Sequence, residues 1–325
     1  MQIKVKDIVY SMVFLLGLLV LLVSASVFFR PKDNTEECGM EEVRPNGILA
    51  EPEGTIDVLV VGDSISYCAI MPLQIWRDHG ITSYVCGTPW QELYESEEFL
   101  KKAFEKQSPK MVILETSTMF HKYEKKEEVR NKIERILPVF RYHDRWKEFD
   151  KMLEVDMALD VNYTFLHPHK GYRYYTNDTY YDPGNYAYQT QEVEPIPRRN
   201  KKKILEIAEF CEKQDAELVF MSMPNSVGWS PKRHNAISLL AEEIGAEYVD
   251  INYLTEEVPI VWKEDCFDEG EHMNLFGAKK VTTYVGKYLA QRDIFEDKRE
   301  NEQYVDWNKE QEAFFLYFDK QNNEE

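Results

Sequence analysis

Residues 56–68 read Ile56-Asp-Val-Leu-Val-Val-Gly-Asp-Ser-Ile-Ser-Tyr-Cys68. Ile56 and the run from Val58 to Val61 are apolar and mostly β-branched, as in a strand buried on both faces of a sheet. The run stops at Gly62-Asp63-Ser64. Gly62 permits a sharp turn, and a Ser at the C-terminal mouth of a central parallel strand sits where open α/β sheets place their chemistry. Three residues recur by chance, so a second stretch gives the first its weight: Asp268-Glu-Gly-Glu-His272-Met-Asn274-Leu-Phe-Gly277-Ala278. A hydroxyl after the first strand, with an acid and a His just before the last helix, forms a nucleophile, base and orienter in the order Ser, Asp, His.

The chain between these stretches alternates strands and helices. Pro72 suits the first turn of a helix that Gly80 ends. A strand is predicted over Thr82–Cys86, a helix from about Glu92 to Lys106, and a strand over Met111–Glu115. The rhythm breaks over 120–197, where Arg130–Asp156 reads as helix and Asn162–Gln191 is crowded with Tyr and turn residues. We read that insertion as a loop over the crevice or a Tyr-rich structural cap. Alternation returns with a helix over Arg198–Gln214, a strand over Glu217–Met221, a helix over Lys232–Ile244, a strand over Ala246–Asp250 and a helix over Asn274–Gln291. This pattern predicts an α/β fold with a parallel, doubly wound sheet of flavodoxin-like order.

At the N-terminus, Ile8 to Phe29 carries no charge and is flanked by Lys4, Lys6, Arg30 and Lys32. As a helix it spans roughly 33 Å, enough for a bilayer core. Ser24-Ala25-Ser26 would suit signal-peptide cleavage, but the apolar run continues past it, favouring an uncleaved anchor. The boundaries expected are a cytoplasmic N-terminus at 1–7, a transmembrane anchor at 8–29, a linker at 30–54, a hydrolase-like domain at 55–291 with its insertion at 120–197, and an acidic tail at 292–325. In that tail Trp307, Gln311, Phe314, Phe315 and Phe318 fall at helical spacing, predicting a docked terminal helix.

The net charge of −19 over 325 residues, with an isoelectric point near 4.9, argues against nucleic acid or another polyanion as partner. The five Cys are scattered and predict neither a zinc site nor a disulfide framework. His167-Pro-His169 lacks a nearby carboxylate pair, so no metal and no cofactor is expected. Phe140-Arg141-Tyr142-His143-Asp144-Arg145-Trp146 reads as a packed amphipathic face.

On the Gly62-Asp63-Ser64 and Asp268–His272 motifs the chain resembles the SGNH (GDSL-type) hydrolase superfamily over roughly residues 55–290. Within it, the chain looks most like the membrane-anchored, DltD-like cell-surface branch of Gram-positive bacteria. The resemblance implies the three-layer flavodoxin-like SGNH fold, with Ser64 as nucleophile and His272 as base. The family spacing Asp-x-x-His would place the orienting acid at Glu269, whereas the family's residue type favours Asp268, with Gly270 absorbing the shift. For the oxyanion hole it implies the Ser64 N–H and Gly87. The family's third donor, an Asn within Gly-x-Asn after the third strand, is replaced by Glu115-Thr-Ser-Thr118. Gln91, in the Gly87-Thr-Pro-Trp-Gln91 region, could supply a side-chain N–H instead. The implied activity is that of an extracytoplasmic serine acyl-esterase or O-acyltransferase acting on a cell-wall or exopolysaccharide acyl group. The implied partners are the cell membrane, an acylated glycan and a membrane-bound O-acyltransferase. The alternative is a non-catalytic module of this fold that binds glycan or scaffolds the transferase.

Overall fold

The computed structural model describes residues 4–148 and 160–321. They divide into two compact units. One contains the chain through Val43 together with Tyr123–Phe165, and the other contains Arg44–Lys122 together with the chain from Leu166 onwards.

The second unit is built on five parallel strands, β1 (Val58–Gly62), β2 (Ser83–Gly87), β3 (Met111–Glu115), β4 (Glu217–Ser222) and β5 (Glu247–Asp250), in the order β2-β1-β3-β4-β5. Every residue of β1, β2 and β3 is buried, as continuous apolar runs require when helices cover both faces of a sheet. The chain leaves β1 for β2 on one side and then crosses to β3 on the other. The strand order therefore reverses between β1 and β3, and their carboxyl ends open a crevice there. Gly62 pairs in register with Gly87 at this end of the sheet. A Cβ on Gly62 would stand 2.5 Å from the Cβ of Glu115, so the close approach of β1 and β3 requires glycine.

Numbering helices in chain order and leaving aside the 3-10 turns and the short helices at Val43–Asn46 and Trp262–Asp265, α1 spans Val5–Phe29, α2 Ser64–Ala69, α3 Pro72–His79, α4 Leu93–Ala103, α5 Lys125–Ile136, α6 Val139–Tyr142, α7 Arg198–Lys213, α8 Pro231–Ile244, α9 Leu275–Ala290 and α10 Val305–Gln321. Helix α3 packs against α9 and α10, α4 packs against α7, and α8 packs against β5. Local chemistry explains the boundaries. Pro72 opens α3, and Gly80 closes it in the left-handed region at φ 67°. Asn274 caps α9 by accepting the N–H groups of Phe276 and Gly277.

The tail helix docks through its aromatic stripe. Trp307, Phe314 and Phe318 are buried. Trp76 stacks on Tyr304 and lies against Trp307, and its indole N–H donates to Asn308 Oδ1 at 2.9 Å. Each such burial contributes about 1.5–3 kcal/mol.

The first unit contains α1, α5 and α6. Among the described residues α1 alone is long and apolar enough to cross a membrane. The expected helix over Arg130–Asp156 is instead α5, which stops at Ile136. Leu137 precedes Pro138, and the ring of that proline disfavours helical backbone before it; Leu137 adopts φ −124°, ψ 77°. One turn, α6, and a 3-10 stretch at His143–Glu148 follow. The rest of the expected helix, 149–156, lies outside the described residues. Phe140 and Trp146, expected to pack, are exposed.

Candidate active site

Asp63 caps α2, its Oδ1 accepting the Ile65 N–H at 2.9 Å. Ser64 thereby becomes the first residue of α2. Its own N–H is one of the donors a helix leaves without an internal acceptor. Ser64 Oγ lies 2.7 Å from His272 Nε2, and His272 Nδ1 lies 2.6 Å from Asp268 Oδ2. The other Asp268 oxygen accepts the backbone N–H groups of His272 (2.9 Å) and Glu271 (3.0 Å). Burial pushes the Asp268 carboxyl up, but the hydrogen bonds and charge of His272 outweigh it and hold the group below its ordinary value. Asp268, not Glu269, thus faces the ring. Gly270, at φ +87°, makes the tight turn that brings the acid back to it.

The His272 loop is braced from two sides. The Phe267 ring stacks on His272 at 5.4 Å, and Tyr175 stacks on Phe267 at 3.8 Å. Thr179 bonds the carbonyls of Cys266 and Phe267, and the Leu275 N–H donates to the Tyr175 carbonyl. The Tyr-rich stretch therefore acts here as a buttress, and none of residues 162–191 lines the cleft. Sequence reading missed Phe267 and Tyr175. Their only sequence signal was an aromatic cluster without helical or strand period.

Ser64 and His272 open onto a cleft of about 490 Å³ whose walls include Trp90, Ser117, His121 and Asn225. Gly87 is not among its lining residues. Its missing side chain makes room for Tyr67 and Ser66, each 3.0–3.1 Å from where a Cβ would stand. Gln91 also differs from expectation. It is fully buried, its amide donates to the Cys86 carbonyl (3.3 Å) and Ser96 Oγ (3.0 Å), and its Oε1 accepts from Thr88 N–H (2.9 Å) and Oγ (3.1 Å). Both donors are spent on bracing its own loop, so Gln91 has none for an oxyanion. Asn225 offers what Gln91 does not. Its Oδ1 accepts from Val227 N–H (2.9 Å) and Gly228 N–H (2.6 Å), which fixes the amide. Its Nδ2 makes no hydrogen bond within the described residues.

Beneath Ser64 lies a buried acid pair at the ends of β1 and β3. Ser117 Oγ sits 2.8 Å from Asp63 Oδ2 and in still shorter contact with Glu115 Oε2. One hydroxyl hydrogen cannot serve two carboxylates, so one acid keeps its proton. Burial, then the Asp63 charge, raises Glu115 to about 8, which makes it the protonated partner at neutral pH. Burial also raises Asp63, and the neighbouring His121 opposes that shift. His121 Nδ1 faces the Gln91 carbonyl at 3.0 Å, so that nitrogen carries a hydrogen, and Nε2 lies 3.3 Å from Asp63 Oδ2. This network stands where Glu115-Thr-Ser-Thr118 takes the place of the Gly-x-Asn motif.

The His pair at 167 and 169 is structural. Burial, foremost, lowers His167 to about 3, and its Nδ1 accepts the N–H groups of His169 and Gly171. All five cysteines are free thiols.

No protein-family model matches this sequence, and no curated protein is similar to it. Several of the solved structures that match are hydrolases by name. They include a GDSL-like lipase of Bacteroides thetaiotaomicron (10% identity, TM-score 0.35, covering 72% of this chain and 87% of that one). An acetylxylan esterase of Geobacillus stearothermophilus, as a catalytic mutant, aligns at 11% identity and TM-score 0.36, over 77% of this chain and all 100% of that one. A lipase/acylhydrolase of Enterococcus faecalis aligns at 10% and 0.34, over 72% and 96%. At that distance function has to be read from this chain's own side chains.

Proposed function

We propose that this protein is a serine acyl-esterase or O-acyltransferase of SGNH type. The observation that carries the reading is the hydrogen-bonded line Ser64 Oγ–His272–Asp268, with steps of 2.7 and 2.6 Å, opening onto a cleft at the switch point of the sheet. Ser64 Oγ attacks the ester carbonyl while His272 Nε2 takes its proton. Asp268 holds the ring with Nε2 free to accept and stabilises the imidazolium. The tetrahedral oxyanion is met by the Ser64 N–H and the Asn225 amide. Collapse expels the alcohol, which takes the proton from His272 and leaves an acyl-Ser64. Water then completes hydrolysis, or a second hydroxyl completes transfer.

A glycan as acyl carrier is supported by Trp90. The residue is 73% exposed on the cleft wall, its ring 5.6 Å from the His121 ring. Its backbone is held at φ 53°, a conformation a bulky residue seldom adopts without a functional reason. An exposed indole face held in that way suits the apolar face of a sugar ring. Helix α1 supports a single-pass anchor, with the α/β unit outside the cell next to a wall or exopolysaccharide substrate. A membrane-bound O-acyltransferase remains the partner we propose for delivery of the acyl group.

A fluorophosphonate probe tests the reading. Wild-type protein becomes covalently labelled and Ser64→Ala does not. A folded wild type that stays unlabelled points instead to the non-catalytic glycan-binding or scaffold module.

A further inference from the structure

Helix α5 is amphipathic in the reverse sense. It buries no residue. Its half-covered positions are polar, Glu128, Asn131 and Glu134, and the side chains of both glutamates are only 16% exposed. Its outward positions, Val129, Ile133 and Ile136, are exposed, and the spacing of four and three residues puts them on one stripe. Phe140 continues that stripe into α6, and Trp146 is 60% exposed just beyond it. A helix bathed in water turns the other way, with its apolar stripe inward.

The same unit fixes the level of this stripe relative to α1. The Val139 N–H donates to Ser26 Oγ at 3.3 Å, and Arg145 Nη1 donates to the Phe29 carbonyl at 2.6 Å. Ser26 lies three residues before the end of α1, about 4.5 Å along its axis. If α1 crosses a bilayer, α6 touches it at the depth where the span leaves the hydrocarbon. Ile136 and Phe140, three residues before and one residue after Val139, then lie close to that level.

We infer that α5, α6 and Trp146 form a membrane-surface seat. The stripe Val129, Ile133, Ile136 and Phe140 lies in the headgroup–acyl boundary of a phospholipid bilayer, and Trp146 lies in the interfacial belt. The seat fixes the exit of the single span by a second point of contact, so the unit cannot pivot freely about one helix. The inference rests on the reading of α1 as a span, and its test separates the two.

The full chain, in a Cys38→Ser background, is labelled with nitrobenzoxadiazole at Ile136→Cys or at Leu18→Cys. Each is reconstituted in bilayers of phosphatidylcholine and phosphatidylglycerol carrying a doxyl quencher at acyl carbon 5 or 12. For a seat about 5–10 Å into the boundary, the label at 136 should be quenched at least about twofold more strongly by the shallow quencher than by the deep one. The label at 18, mid-span, should show the reverse order. Quenching at 18 without quenching at 136 overturns the seat and leaves the span standing. A blue-shifted but unquenched label at 136 overturns it too, and shows that protein covers the stripe. Absence of quenching at 18 removes the span and the seat together. Ile136 is 76% exposed, so its substitution removes no internal packing.

Discussion

Among the described residues of the α/β unit, two Ser–His–Asp relays stand out, and only one of them is built as a site. In the first, Ser64 Oγ, His272 and Asp268 are joined at 2.7 and 2.6 Å. In the second, Ser238 Oγ lies 3.4 Å from His234 Nε2, and His234 Nδ1 lies 2.6 Å from Asp250 Oδ2. The acid–imidazole geometry is the same in both. The difference lies in what surrounds it. Ser238 sits in the middle of α8, one helical turn from His234, so its backbone N–H belongs to the helix ladder. Asp250 serves Trp229 Nε1 (3.0 Å), the Tyr248 hydroxyl (2.8 Å) and the Asn252 N–H (3.0 Å) as well, which makes it the hub of a packing network. Ser64 stands at a helix start, with a free N–H and a cleft in front of it. A relay of three side chains becomes a catalytic candidate only where spare donors and substrate access converge on the hydroxyl.

The sharpest way to break this comparison is to remove the two hydroxyls in turn. Ser64→Ala should lower ester hydrolysis, measured on a chromogenic acetyl ester, by about 10⁴-fold or more, and Ser238→Ala should stay within about twofold of wild type. Equal losses would make the second constellation a site. The two acids come next. Asp268→Asn should lower kcat by about 10⁴-fold with the melting temperature nearly unchanged, because it alters the tautomer and not the packing. Asp250→Asn should do the opposite, costing about 1–3 kcal/mol in a denaturant titration and leaving kcat alone, since several buried donors lose a charged acceptor. Glu269→Gln should be mild, because the ring faces Asp268.

A smaller effect should separate Asn225 from Gln91. Asn225→Ala should lower kcat by about 10²-fold with little change in KM, as expected for a donor engaged in the transition state. Gln91→Ala should act first on stability, because its four hydrogen bonds are all internal.

The smallest effect concerns Glu115. Its folded-state value, about 8, lies above that of an unfolded glutamate. Between about pH 4.5 and 8 the native state therefore binds more protons than the unfolded state, and stability falls as pH rises through that window. Glu115→Gln should flatten the slope and raise the melting temperature at pH 8 by about 2–4 °C. A slope unchanged in this variant would place the proton elsewhere.

The sequence by itself determined the strands and main helices of the α/β unit and their order. The runs Val58–Val61 and Met111–Leu114 are buried on both faces, and Pro72, Gly80 and Asn274 mark helix ends through local chemistry that needs no distant partner. It also determined which Ser and which His lie at the carboxyl end of the sheet, because βα alternation delivers the loops after β1 and before α9 to the same edge. Tertiary structure alone decided between Asp268 and Glu269, since the answer depends on where Gly270 turns the chain. It likewise decided that Gln91 is spent and Asn225 is available, because a donor is free only when nothing nearby accepts from it, and those neighbours come from distant parts of the chain. Tyr175 and Phe267 became a buttress for His272 by the same route. The outward stripe of α5 was hidden for the converse reason. Periodicity shows that a helix has an apolar face, but which way that face points is settled only when the chain around it has folded.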